Sequence, residues 1–444
     1  MRRAGRIQIH ETSEKTKRAF LVSLYDTKPG GGAGAESAVA GSREEAESLA
    51  RELAGLAGAL GLEIAAQEIV PVRERPPRYG MGTGKARELA DRAAELGVDC
   101  FVFDWNPSPS QQRNWEALTG IAAIDRQELI IRIFADRALT REAEVQVNLA
   151  ELNYALPRLS HKYIDLSRQR GGHYGTRGSG ETRLETDRRR IEQRISRLRE
   201  DLEEVRRQRE VQRRQRERQG IPVCALVGYT NAGKSSLLNA LTGAGVPAED
   251  KPFVTLDAVS RRFEPRKGLP VLLVDTVGFI RKLPHALVDA FRSTLEEAAR
   301  ADLLIHVLDA ADPDAGLCRE TTLSVLQELN AGNIPRITVL NKADRLKSAD
   351  VLEDLLKRYE GAMAVSALSG AGLPELVSRM ADLLSGGTIH VRIPQSRPDL
   401  AALLHRGGTV FSEKYSGEYI SMAARVDEKT AGKLREYIEP FPDP

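Results

Sequence analysis

Eight consecutive residues, Gly228-Tyr229-Thr230-Asn231-Ala232-Gly233-Lys234-Ser235, have the spacing of a phosphate-binding loop: glycine, four residues, then Gly-Lys-Ser. Glycines let backbone N–H groups close around an anion, and a helix that starts there adds partial positive charge. Lys234 has the reach for β- and γ-phosphates. The Ser235 hydroxyl suits Mg²⁺, and Ser236 follows in the first turn. Val223 to Val227 reads as a buried strand, and Ser236 to Leu241 as the first turns of a helix, so the context the motif needs is present.

Further stations follow in the order that guanine-nucleotide chemistry requires. Phe253, Val254 and Thr255 lie in a polar segment of switch type, where the Thr255 hydroxyl can complete a Mg²⁺ shell when a γ-phosphate is present. Val271 to Val274 is a strand ending in Asp275-Thr276-Val277-Gly278. Asp275 can hold Mg²⁺ through a water, and the Gly278 N–H can bond the γ-phosphate. Ile337 to Leu340 is a strand ending in Asn341-Lys342-Ala343-Asp344. Asp344 can accept from guanine N1–H and the exocyclic amine, Asn341 can tie this loop to the phosphate loop, and the Lys342 stem can line the base. Ser366-Ala367-Leu368 is placed to give backbone N–H to the guanine oxygen.

One such station is weak evidence, but five in order at strand ends select GTP and GDP over adenine nucleotides. The candidate catalytic groups are Lys234, Thr255, Gly278 and Asn231. Phe279 stands where Ras-like GTPases carry the glutamine that orients water. Hydrolysis should therefore be slow until a partner, or a monovalent cation such as K⁺ held by Asn231, completes the site. Asn231 could equally serve only to tolerate backbone strain.

The elements that must position these residues imply an α/β fold. A mostly parallel sheet with helices on both faces is expected over 221–386. Upstream, residues 1–139 read as an α/β N-terminal domain. It has a strand at Phe20 to Tyr25, a helix from Ser42 to Leu60 with a Ser42/Glu45 capping box, a strand at Leu62 to Val70, a helix at Arg87 to Leu96 and a strand at Asp99 to Asp104. Gly80-Met81-Gly82-Thr83-Gly84-Lys85 misses the phosphate-loop pattern at both Tyr79 and Ala86. It reads as a partner-contacting loop or a plain helix start. Residues 387–444 read as a small β-α-β-β-α domain, with a hairpin about Ser416-Gly417 and a last helix over Glu428 to Ile438.

Residues 140–220 read as a helical hairpin. Val145, Leu149, Leu152, Leu156, Leu159, Tyr163 and Leu166 recur in 4-3 steps, and Leu184, Ile191, Ile195, Leu198, Leu202 and Val205 resume them. The break at 168–180 has five glycines, three arginines and no acid. Residues 168–220 hold 17 arginines, no lysine and 10 acids, hence +7, while the whole chain carries only +2. A basic arm on a mildly acidic body fits a polyanion, RNA and not DNA. Arg168, Arg170, Gly171, Gly172, His173, Tyr174, Arg177 and Arg183 are the candidate RNA contacts, since arginine and aromatic rings suit unpaired bases. For the helix after the break, a solvated, salt-bridge-laced face is an equally good reading.

The remaining composition excludes other classes. Cys100, Cys224 and Cys318 are far apart and form no C-x-x-C pair, which argues against a disulfide framework or zinc site and suits a reducing cytoplasm. The seven histidines lack metal-ligand spacing. No apolar region follows Met1-Arg2-Arg3-Ala4-Gly5-Arg6, so no secretory signal is expected, and no run reaches the ~20 residues of a membrane span. Peripheral membrane contact stays open, and a monomer is expected.

The chain resembles the HflX family, ribosome-associated members of the Era–Obg–HflX group of GTPases. The resemblance rests on the phosphate loop at 228–235, Asp-Thr-Val-Gly-Phe-Ile at 275–280, Leu-Pro-His at 283–285, Phe-Arg-Ser-Thr-Leu-Glu-Glu at 291–297, Leu-Pro-Arg-Leu at 156–159 and the stretch 175–189. It covers about residues 7 to 385. Ser179 stands where that family usually has proline, and Arg183 where it usually has glutamine. The resemblance implies that the glycine-rich tip reaches the large ribosomal subunit near the peptidyl-transferase centre. The GTP form would help to split or rescue stalled ribosomes under stress, and the ribosome would stimulate hydrolysis. Two other classes remain: a nucleotide-sensing RNA-binding regulator with little turnover, and an RNA-modification GTPase, for which none of the three cysteines lies in a catalytic or cofactor domain.

Overall fold

The structure is a computed structural model. It describes residues 17–27, 39–159, 178–218, 221–243, 245, 252–253, 259–266, 269–282, 297–384, 388–426 and 428–440. These fall into two compact units, one within Met1–Ile133 and Ala155–Leu184, the other within Phe134–Tyr154 and Glu185–Pro444.

The first unit holds a four-stranded parallel sheet of β1 (Arg18–Asp26), β2 (Glu63–Val72), β3 (Cys100–Phe103) and β4 (Ala122–Asp125), in the order β2-β1-β3-β4. Helix α1 (Arg43–Ala59) starts where the capping residues require. The Ser42 side chain accepts from the Glu45 N–H, and a Glu45 carboxylate oxygen accepts from the Gly41 N–H. Helix α2 (Thr83–Leu96) begins inside the Gly80–Lys85 loop. Lys85 there is held by Glu68 at 3.2 Å and Glu88 at 2.7 Å, and its pKa is raised, chiefly by the Glu88 hydrogen bond. The loop is thus a helix start. Helix α3 (Pro109–Thr119) was missed in the sequence, although Ser108 and Gln111 form a full capping box with proline at N1. Trp115 on α3 anchors the core among Phe101, Phe103 and Tyr79.

Helix α4 (Arg126–Arg137) leads to α5 (Arg141–Leu159), and after the tip comes α6 (Gly178–Arg218). The seam positions Val145, Leu149, Leu152, Ile195 and Leu202 are buried. One expectation changes here. The helix already includes Gly178, Ser179 and Gly180, because a long run of good helix formers propagates back through glycines that lie in its first turn. Along α6, Arg188, Arg189, Arg190, Arg206 and Arg207 pair with acids three or four residues away. That is the solvated, salt-bridge-laced face.

The GTPase sheet has the order β10-β9-β8-β5-β7-β6: β5 (Val223–Gly228), β6 (Val259–Arg266), β7 (Leu269–Asp275), β8 (Leu303–Asp309), β9 (Arg336–Asn341) and β10 (Met363–Ala364). All pairs are parallel except β6 with β7. The continuous apolar runs of β5, β7 and β8 follow from burial on both faces. Helices α7 (Lys234–Thr242), α8 (Ala315–Glu328), α9 (Ala349–Arg358) and α10 (Leu373–Leu384) complete it. Cys224 lies in this core, and burial pushes its thiol pKa up; Cys100 in the first unit is pushed up to about 11 for the same reason.

The last sheet, of order β12-β13-β11-β14, is antiparallel: β11 (Thr388–Pro394), β12 (Gly408–Ser416), β13 (Tyr419–Val426) and β14 (Ile438–Glu439). Helix α11 (Pro398–Gly407) packs on it. The expected last helix to Ile438 stops at Lys433 as α12 (Glu428–Lys433), because Ile438 and Glu439 pair with Val391 and His390 instead. A strand partner on β11 overrides weak local propensity around Gly432.

Candidate nucleotide site

The turn between β5 and α7 is built from positions that only particular residues fill. Gly228 has φ 151°, and a Cβ there would lie 2.2 Å from the Val307 carbonyl oxygen. Gly233 has φ 90°, and a Cβ would lie 2.3 Å from Asn341 Nδ2. Asn231 between them has φ 60°, the left-handed conformation that asparagine accepts more readily than most residues. This backbone conformation is compatible with either reading of Asn231, as a tolerator of strain or as a cation ligand. Ala232 is buried and Ser236 half-buried.

Lys234 opens α7 and is buried. Its Nζ donates to the Gly228 carbonyl at 3.2 Å and to the Tyr229 carbonyl at 2.8 Å. Burial lowers its pKa to about 8, against an opposing pull from Asp275. The next residue, Ser235, donates its Oγ proton to Asp275 Oδ2 at 2.6 Å. Asp275 ends β7 with no exposed surface. The hydroxyl and carboxylate oxygens thus converge, and two hard oxygen donors of this kind suit Mg²⁺.

Beyond Asp275, the Thr276 Oγ1 donates to the Leu226 carbonyl at 2.7 Å, so its side chain braces the strand end. Val277 is buried. Gly278 presses on the phosphate loop: a Cβ would stand 2.7 Å from Thr230 Cα and 2.9 Å from Lys234 Nζ. Phe279 is 1 % exposed and bridges to Tyr229, with Thr230 N–H donating to the Phe279 carbonyl at 2.8 Å. Phe253 differs from expectation. It has φ 59°, and its buried ring meets Phe134 edge-on at 4.6 Å, so its side chain belongs to the core. Val254 and Thr255 lie outside the described residues.

On the base side, Asn341 Nδ2 donates to the Ala232 carbonyl at 2.9 Å, while its Oδ1 accepts from the Ala367 N–H at 3.1 Å. The Ala367 N–H expected to meet guanine is therefore engaged by Asn341 in this state. Ser366 contributes its side chain, its Oγ donating to Asp344 Oδ1 at 2.5 Å. Leu368 is 88 % exposed. Lys342, with φ 61°, pairs through Nζ with Asp309 Oδ2 at 2.7 Å. The sequence reading did not single out Asp309. The available signal was its place at the end of β8, the same position that Asp275 holds on β7.

Among the described residues no group of three His, Cys, Asp or Glu side chains suits a metal ion, and no helix is long and apolar enough to cross a membrane. Of the expected RNA contacts, Arg183 lies in α6, and Arg168, Arg170, Gly171, Gly172, His173, Tyr174 and Arg177 fall outside the described residues.

Residues 47–135 match the family described as "GTP-binding GTPase N-terminal", 137–216 "GTP-binding GTPase Middle Region" and 223–342 "50S ribosome-binding GTPase". The chain is similar to a GTPase HflX of Akkermansia muciniphila, 43 % identical over 444 residues, spanning 97 % of this chain and 99 % of the relative. The chain belongs to the HflX family of GTPases. The Escherichia coli K12 GTPase HflX is 44 % identical over 338 residues, 76 % of this chain and 79 % of that one. A GTP-binding protein of Sulfolobus solfataricus solved with GDP is 24 % identical, with a TM-score of 0.43 over 84 % of this chain and 99 % of that chain. As an HflX GTPase, the chain binds GTP and GDP and hydrolyses GTP. Its fold is the α/β GTPase architecture expected from the motifs.

Proposed function

We propose that this HflX GTPase uses GTP hydrolysis to time its stay on the large ribosomal subunit, and that it helps to dissociate or rescue stalled ribosomes in the cytoplasm. The observation that carries this reading is the match of residues 223–342 to the family described as "50S ribosome-binding GTPase", joined to a basic arm at 168–220. The acid-free tip meets rRNA through Arg168, Arg170, His173, Tyr174 and Arg177, joined by Arg183 of α6, with Gly171 and Gly172 allowing close approach. Five of the α6 arginines pair with acids within the helix, whereas the tip holds no acid, so in this reading the tip contributes most of the RNA contact.

In the nucleotide site, residues 228–236 wrap the phosphates and Lys234 neutralises them. Ser235, Thr255 and, through water, Asp275 hold Mg²⁺, whose charge offsets that of the phosphate oxygens. Gly278 reads the γ-phosphate through its N–H. Asp344 reads guanine, with Ser366 orienting its carboxylate, while Asn341 and Lys342 fix the base loop. Because Phe279 cannot orient water, the ribosome, or K⁺ at Asn231, completes the site. Turnover measured with and without purified large subunits tests this. Stimulation of one or more orders of magnitude supports the proposal; no stimulation favours a nucleotide sensor with little turnover.

A further inference from the structure

Tyr229 makes one contact within the phosphate loop and two to the loop after β7. Its carbonyl accepts from Lys234 Nζ. Its main chain bridges to Phe279, flanked by the Phe279 N–H donating to the Gly228 carbonyl at 3.0 Å and the Thr230 N–H donating to the Phe279 carbonyl at 2.8 Å. Its phenolic oxygen accepts from the Arg281 N–H at 2.7 Å. Any residue could make the first two contacts through its backbone. Only a side chain with a well-placed acceptor at that reach makes the third, and the ring that carries it is 7 % exposed.

The stretch between Asp275 and Arg281 is held at its middle by the Phe279 backbone bonds to Gly228 and Thr230. Val277, Phe279 and Ile280 are apolar and buried, and contribute no polar side-chain anchor. The Thr276 hydroxyl ties the near end to Leu226. The Tyr229 hydroxyl ties the far end. Gly278 lies between these two pins, pressed on Thr230 and Lys234.

We infer that Tyr229 is a positioning residue for GTP hydrolysis: its hydroxyl pins the far end of the 276–281 turn and so holds the Gly278 N–H where a γ-phosphate arrives. This rests on the reading of Gly278 as the γ-phosphate contact. GDP has no γ-phosphate, so the hydroxyl counts for GTP and not for GDP. It also supplies part of the rigidity that a missing glutamine would otherwise leave to chance, since a preorganised donor needs no rearrangement as charge develops.

The test uses the full-length protein and Tyr229→Phe, which keeps the ring and removes the acceptor. Single-turnover hydrolysis and the dissociation constants of GDP and of a non-hydrolysable GTP analogue are measured, with Gly278→Ala alongside. Loss of one hydrogen bond predicts about a fivefold to tenfold fall in kcat and in analogue affinity, with GDP affinity within about twofold of wild type. An equal loss for GDP and analogue marks a merely structural role and overturns the inference, as does an unchanged kcat. If Gly278→Ala shifts the analogue-to-GDP ratio and Tyr229→Phe does not, the role of Tyr229 falls alone. If neither shifts it, the reading of Gly278 falls too.

Discussion

The Asn341 side chain donates to the Ala232 carbonyl across 109 residues of sequence, and its other end receives the Ala367 N–H. One carboxamide thus joins the phosphate loop, the base loop after β9 and the loop after β10. The base half and the phosphate half of the site share this brace, which is why glycine is needed at Gly233: any Cβ would displace it.

Guanine selection should sit on Asp344. Asp344→Asn exchanges two acceptors for an acceptor and a donor, and the Ser366 hydroxyl that bonds it can rotate to suit either. Preference should move from guanine to xanthine nucleotides by about two orders of magnitude, in line with what unpaired polar groups cost a built site. Competition binding with GTP and XTP measures it, and retained guanine preference would refute the assignment.

Asp309 holds Lys342 through an ion pair in which both side chains are mostly buried. In Asp309→Ala the Lys342 stem loses its fixed course past Gly233. GTP and GDP should dissociate faster by an equal factor, about fivefold to thirtyfold, since the change touches base and not γ-phosphate. Stopped-flow release of a fluescent guanine nucleotide analogue reads this directly; unchanged release rates would remove Asp309 from the site.

Lys234 makes nucleotide affinity depend on pH. In the free protein its pKa is lowered to about 8, so above that pH the phosphates must recruit a proton with them. Affinity should be flat below about pH 7 and fall by up to tenfold per unit above about 8. The sign for stability is opposite. An unfolded lysine titrates near 10.4, so between about 8 and 10.4 the unfolded chain holds the extra proton and stability of the free protein rises with pH. Calorimetric binding in two buffers of different ionisation enthalpy would expose the proton uptake, and its absence at pH 9 would contradict the assignment.

Asn231 separates two roles by substitution. Asn231→Gly keeps the left-handed backbone and removes the carboxamide. If the carboxamide holds K⁺, wild type should hydrolyse GTP several-fold faster in K⁺ than in Na⁺ at matched ionic strength, about what one extra charge contact contributes, and the variant should show no difference. Equal wild-type rates in both salts, with and without large subunits, reject the cation.

The tip should announce itself through salt. If it neutralises three phosphates of single-stranded rRNA, log affinity should fall against log salt with a slope near −2. Arg170→Ala should bring that slope down by roughly 0.7. An unchanged slope and affinity would free the tip from RNA binding.

The phosphate and base stations were legible because each requires a rigid residue type at a strand end, and strand ends are easily found after short apolar runs. Lys234, Ser235, Asp275 and Asn341 are brought together on that basis. Asp309 was not, because a lone aspartate at a strand end has many uses and its partner Lys342 lies in the loop after another strand, β9. The Tyr229 hydroxyl was hidden for a similar reason: a tyrosine inside a glycine loop reads as part of the loop, and only the fold reveals Arg281 beside it. In the first unit, α3 was overlooked although Ser108, Pro109 and Gln111 spell its start. The stop of α12 at Lys433 could not be read locally, since it depends on β11 being there to receive Ile438.

The buried thiols give the molecule a built-in clock. Cys100 lies in one unit, and Cys224 and Cys318 in the other, all of them buried. With the Cys100 and Cys224 thiols held protonated by burial, alkylation must wait for local opening. The rate at which each cysteine takes up a label therefore reports how often its own unit breathes, and nucleotide should slow Cys224, on the strand that feeds the phosphate loop, more than Cys100.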